Sequence, residues 1–182
     1  MTTRMRSSLT ALAVLAAGTG LALAANTPAQ AAAPYTCNGL VATIVGTAGA
    51  DEIEGTSGRD VIVGLDGNDE IDGNGGDDVI CAGAGHDEVE GGSGNDWIHG
   101  GSGKDKLEGD SGNDTIHGGS NNDHLEGDSG TDKLYGQSGH DLLEGGRGSD
   151  RLKGGSGKDI LRQGSASERV EDRWEHRYGD DD

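Results

Sequence analysis

Gly91-Gly92-Ser93-Gly94-Asn95-Asp96-Trp97-Ile98-His99 is one copy of a nine-residue pattern, and the period of that pattern decides the fold. Stepping outward from Asp96 in nines meets Asp51, Asp60, Asp69, Asp78, Asp87, Asp105, Asp114, Asp123, Asp132, Asp141, Asp150 and Asp159, so thirteen aspartates share one register. Two residues after each stands an aliphatic side chain, from Ile53 and Ile62 through Val89 and Leu107 to Leu161. Two residues before each stands Gly, except at Asn121, and Asn is the residue that best tolerates a positive φ after Gly. The unit is G-x-x-G-x-D-x-U-x with U aliphatic. It occupies 117 of the 182 residues.

Six small or polar residues followed by three that alternate around one aliphatic predict a glycine-bent turn and a very short strand. Two units then close one coil of 18 residues. Alternate units stack as two parallel sheets, with every U side chain between them. That core is a single file of thirteen aliphatics, thin for so many ordered residues. The aspartates would stack about 5 Å apart along each edge, where like charges repel.

This repeat resembles the RTX, or hemolysin-type, calcium-binding nonapeptide family. The resemblance implies an all-β, right-handed parallel β-roll whose turns bind calcium between coils. A hard divalent cation suits the residues, because carboxylates and turn carbonyls are the oxygen ligands that calcium accepts in flexible geometry; magnesium demands a tighter octahedron. Carried onto this chain, one edge uses Asp51, Asp69, Asp87, Asp105, Asp123, Asp141 and Asp159. The other uses Asp60, Asp78, Asp96, Asp114, Asp132 and Asp150. Seven turns leave six gaps and six leave five, so up to about eleven ions fit, with incomplete sites at the ends.

Four segments are expected. Residues 1–31 carry a basic start, an Ala/Leu-rich stretch and Ala29-Gln30-Ala31, the pattern of a secretory signal peptide. A retained membrane anchor is disfavoured by the short apolar run, broken at Gly18 and Gly20. Residues 32–45 form an N-terminal segment and cap, with Ile44 at the inward position and Ala42 where Asp would stand. Residues 46–162 are the roll, and residues 163–182 a C-terminal cap or acidic tail. There, Ser165-Ala166-Ser167-Glu168 fits a capping box, and Val170, Trp174 and Tyr178 recur at intervals of four up to Gly179. A short helix and a frayed tail are equally consistent with this.

The two cysteines, Cys37 and Cys81, are expected to pair in the oxidising compartment to which a signal peptide leads. Such a bridge fastens the N-terminal cap over Val61 and Val79; two free thiols and a dimer through Cys37 are the alternatives. The apolar outer face of Val61, Val63, Val79, Cys81 and Trp97 is read as covered by this segment, ahead of a partner site. The opposite sheet shows Glu52, Glu70, Glu88, Glu90 and their successors, a solvated acidic face.

The whole chain has 14 basic and 33 acidic residues, a net charge of −19. Nucleic acid and anionic membrane surfaces are therefore poor partners. Gly103-Lys104-Asp105 lacks the spacing of a phosphate loop, and His99 with His117, one rung apart, reads as a solvent-facing ladder ahead of a transition-metal site. Outside the repeats there is no room for a catalytic domain, so the chain is read as a secreted calcium-binding protein and not as an enzyme. A calcium-dependent adhesive or polysaccharide-binding module is the alternative, with an extracellular matrix or polysaccharide partner. An enzyme site on the roll surface is a weaker one, and the oligomeric state is left open.

Overall fold

The structure, a computed structural model, describes residues 34–164 and the backbone of Arg169–Val170. The expected signal peptide lies outside the described residues.

Every parallel pairing joins residues 18 apart, which is the coil length that the repeat dictates. Ile53 lies against Ile71 and Val89 against Leu107 in a seven-stranded sheet; Ile62 lies against Ile80 and Leu134 against Leu152 in an eight-stranded one. The chain thus winds as an all-β parallel roll, with no helix among the described residues. Because neighbours in a strand point to opposite faces, each central aliphatic faces inward. The column from Ile53 through Ile62 and Val89 to Leu152 is buried, with Ile44 and Leu161 packed at its two ends. Ala82, the one residue other than Gly at the first position of a unit, adds its methyl to this core.

The two sheets differ in strand length, which corrects the expectation of equally short strands. Strands of the seven-stranded sheet span three residues, such as Lys106–Glu108. Most of those in the other sheet run on for six, such as Trp97–Ser102. After Ile98 and His99 the pairing skips Gly100 and resumes at Gly101 and Ser102. Gly101 has φ 114°, so a left-handed residue at the second position bends the strand without ending its ladder. Leu65 (φ 86°) and Gln137 (φ 74°) hold the same geometry without being glycine, and Asn121 takes φ 79° in the place of Gly.

The N-terminal cap is more structured than the sequence reading foresaw. Ile44–Val45 pairs in parallel with Ile62 and Val63, as expected. Before it, Thr36–Cys37 and Leu40–Val41 form an antiparallel hairpin around Asn38 (φ 48°) and Gly39 (φ 77°), the two left-handed residues of a type I′ turn. Cys37 and Cys81 are joined by a disulfide, and Cys37, Val61, Val63 and Val79 form a second small core outside the sheet. The apolar face is covered there by the chain's own N-terminal segment.

At the other end, the segment read as either a short helix or a frayed tail contributes a strand at its two described residues. Arg169–Val170 extends and pairs in parallel with Arg151 and Leu152, continuing the register of 18 beyond the last aspartate. An open sheet edge offers unpaired backbone groups, and this pairing meets some of them. The rest of that segment, including Trp174 and Tyr178, lies outside the described residues.

Candidate metal centre: two columns of half-satisfied carboxylates

The short turn before each strand places the sixth residue of every unit where its carboxylate points back under the glycines. Eleven of the thirteen aspartates are buried, from Asp60 to Asp150; Asp51 and Asp159, at the ends of one edge, are half-buried. The structure therefore assembles both predicted columns.

Within each column the carboxylates are linked in one direction. The Asp51 N–H donates to Asp69 Oδ1 at 2.9 Å, that of Asp69 to Asp87 at 2.9 Å, and that of Asp105 to Asp123 at 3.0 Å. On the other edge the Asp78 N–H reaches Asp96 Oδ1 at 2.8 Å and that of Asp114 reaches Asp132 at 2.9 Å. One oxygen of each linked carboxylate is thereby fixed. The second, Oδ2, is buried without a hydrogen-bond partner in Asp69, Asp78, Asp87, Asp96, Asp105, Asp114, Asp123, Asp132, Asp141 and Asp150. Buried polar atoms are ordinarily satisfied, and an orphaned carboxylate oxygen is costly. Ten in two files form a pattern that a cation would complete.

Glycine keeps the space beside them open. A Cβ on Gly100 would stand 2.5 Å from Asp105 Oδ2, and one on Gly118 would stand 2.5 Å from Asp123 Oδ2. At the fourth position a Cβ on Gly85 would overlap the Gly67 carbonyl oxygen one coil earlier. The cradle therefore consists of carboxylates and turn carbonyls, an all-oxygen donor set suited to calcium.

Burial is the main cause of the carboxylates' altered acidity. It raises Asp96, Asp105 and Asp132 to about 6 and Asp114 and Asp123 to about 7. The amide bond opposes that rise in each of them. Repulsion from a neighbouring aspartate adds to it less than burial does, a reversal of the emphasis that the sequence suggested.

The first two units depart from the pattern. Thr47 N–H and hydroxyl reach Asp51 Oδ2 at 2.6 and 2.9 Å, and those of Thr56 reach Asp60 Oδ2 at 2.7 and 2.8 Å. Above Asp60 there is no preceding aspartate, and the Thr43 hydroxyl donates to Asp60 Oδ1 at 3.3 Å. Threonine thus supplies the donors that the later carboxylates lack. Sequence reading passed over these residues, although Thr occupies the second position only in the first two units.

A second, oppositely directed ladder also went unread. Fifth-position side chains accept amide bonds from the next coil. His86 N–H donates to Asn68 Oδ1, Lys104 N–H to His86 Nδ1 and Lys158 N–H to His140 Nδ1, each at 2.8 Å. The recurrent Asn or His just before Asp was the available signal.

Two outer clusters of possible metal ligands have simpler explanations. His124 Nε2 lies 3.0 Å from Glu126 and 3.4 Å from Glu144, and Arg162 pairs with Glu144, so the polar atoms of that group already have partners. Glu108, Asp110 and Asp128 are a partly buried acidic group in which Glu108 is paired with Lys106 at 2.8 Å. His99 and His117 stand one rung apart with ring centroids 6.2 Å apart.

The fold and these columns define a class, a repeat-built parallel β-solenoid with acidic turns. The RTX calcium-binding nonapeptide repeat model matches in overlapping copies from residue 43 to residue 162, well over half of the chain, and the chain belongs to that family. The repeats are a calcium-binding structural element. No curated protein matches the chain.

Proposed function

We propose that the chain is secreted, binds calcium through its two aspartate columns and folds on doing so outside the cell. The observation that carries this reading is the file of ten buried, unpartnered Oδ2 atoms. Bound calcium supplies the positive charge and coordination that these oxygens lack. The ligand set is Asp51 to Asp159 in steps of nine, with the fourth- and first-position carbonyls of neighbouring coils as further oxygens. Up to about eleven ions fit the eleven gaps. Those nearest Asp51 and Asp60 bind last, because threonines already occupy both carboxylates.

Secretion is supported by the signal-like residues 1–31 and by the disulfide between Cys37 and Cys81. The division at residues 31, 45 and 162 follows from the same pattern. Sites built for use outside the cell bind weakly, on the order of 0.1 to 1 mM, so they stay empty in the cytosol. The roll is structural and carries no catalysis. Equilibrium dialysis of the secreted protein against calcium tests this reading: about ten ions per chain are expected, and one or two would contradict it.

A further inference from the structure

The outer face of the eight-stranded sheet has an unusual composition for this protein. In a chain with 33 acidic residues, no acidic side chain occupies an outward position beside the buried aliphatics from Val61 to Lys153. Its N-terminal end is sealed by the disulfide-tied hairpin. Trp97 packs at the edge of the small core there, and beyond it no described segment lies over the strip. Trp97, His99, His117 and Tyr135 are half-buried, and Lys133, Arg151 and Lys153 are exposed.

The four rings form one continuous surface. Trp97 stacks on His99 with centroids 6.0 Å apart and lies 5.6 Å from His117, which stacks on Tyr135 at 4.8 Å. Trp97 and Tyr135, isolated in the sequence, are thus joined by two imidazoles. Burial lowers the pKa of both His99 and His117, which keeps these rings uncharged at neutral pH. The ladder then meets the cations, since Lys133 and Tyr135 flank Leu134, and Arg151 and Lys153 flank Leu152.

We propose that this face binds an anionic polysaccharide, with sugar rings against Trp97, His99, His117 and Tyr135 and acidic groups on Lys133, Arg151 and Lys153. The strip is two side chains wide and four strands long, about 15 Å at ordinary strand spacing, which suits a linear polymer lying along the roll. It falls far short of the roughly 800 Å² per partner that a stable protein interface needs, which argues against a second copy. Three cations on a molecule of net charge −19 are too few for nucleic acid, whose binding rests on neutralising many phosphates. The proposal rests on the folded roll, which in the reading above calcium supplies.

The test titrates calcium-loaded protein with a galacturonate hexamer, dextran sulfate and neutral dextran. Titration calorimetry reads the affinity of every variant, and fluorescence in a Trp174→Phe background reports on Trp97 wherever that residue is kept. Binding of either anionic sugar without neutral dextran is expected, and the hexamer and dextran sulfate separate carboxylate from sulfate. Trp97→Ala and Tyr135→Ala should each weaken it about tenfold, the effect of a lost stacked ring, and K133E/R151E/K153E should abolish it with an unchanged strand signal. If Trp97→Ala does not fold, Tyr135→Ala carries the comparison.

Absence of binding to well-folded protein would overturn the proposal. So would binding untouched by the charge reversal, which would mean bridging by ions on the acidic face. Equal binding of a single-stranded oligonucleotide, or self-association lost in K133E/R151E/K153E, would assign the face to another occupant. Variant-sensitive sugar binding that persists in chelator, with strand signal intact, would instead sink the calcium reading and leave this one standing.

Discussion

The backbone N–H of Asp105 is held by Asp123 Oδ1 at 3.0 Å, and this bond determines what the other Asp123 oxygen can do. With Oδ1 engaged, Oδ2 faces the glycine cradle of its own turn, buried and without a partner. Asp105 is tied in the same way to the amide of Asp87. Each central aspartate thus belongs to two gaps.

Replacing Asp105 with Ala should accordingly damage two sites. The loss of a charged hydrogen bond costs about 1.5 to 3 kcal/mol, so the calcium midpoint should rise about tenfold or more, with lower cooperativity. Asp51→Ala and Asp159→Ala should do less, since each closes one gap. Titration calorimetry on the three variants checks this. Equal losses at centre and end would argue against shared ligands.

Thr47 and Thr56 make the first coil less dependent on ions than the rest. In chelator, residues 36–63 should retain more amide-exchange protection than residues 96–150. Thr56→Ala should remove that protection and cost about 1 kcal/mol. Uniform exchange along the wild-type chain would show that the threonines are no substitute for metal.

The bridge from Cys37 to Cys81 spans a sequence separation of 44 residues and holds the hairpin over Val61 and Val79. Reducing it, or replacing both cysteines with Ser, should destabilise the calcium-loaded fold by about 2 to 4 kcal/mol. Thermal unfolding with and without reductant measures the effect. Two alkylatable thiols in the native protein would contradict the pairing.

The raised carboxylate pKa values set the response to pH. Asp114 and Asp123, near 7 in the ion-free fold against 3.8 ordinarily, hold protons between those values that the unfolded chain has released. Linkage then requires ion-free stability to fall as pH rises through that window. Strand signal in chelator should therefore be greater at pH 5 than at pH 8, and calcium affinity should show the reverse dependence, with protons released on binding. Calorimetry in buffers of different ionisation enthalpy detects those protons. Affinity independent of pH would count against buried ligands.

The roll was legible because Asp and the aliphatic two residues later recur without a break, so one register fixes core, sheets and columns together. Ile44 fell into place by the same count. The hairpin was not seen, although Asn38-Gly39 is a strong type I′ turn signal, because the segment was read only as a half-unit of the repeat. The last strand shows the opposite imbalance. The capping-box pattern from Ser165 left helix and frayed tail equally open, although the count of nine puts Val170 in the aliphatic column. The contacts of Thr47 and Thr56 lie within single turns, four residues from their aspartates, and Thr at the second position of the first two units alone was their signal. The ring ladder depends on how side chains lie across coils, which only three-dimensional placement reveals.

The most direct test of the central claim is far-ultraviolet circular dichroism of the purified protein in chelator and then with millimolar calcium. The account predicts a largely disordered spectrum without calcium and a cooperative gain of β-structure on its addition, with at most the N-terminal coil formed beforehand. A full native strand signal in chelator, unchanged by calcium, would contradict it.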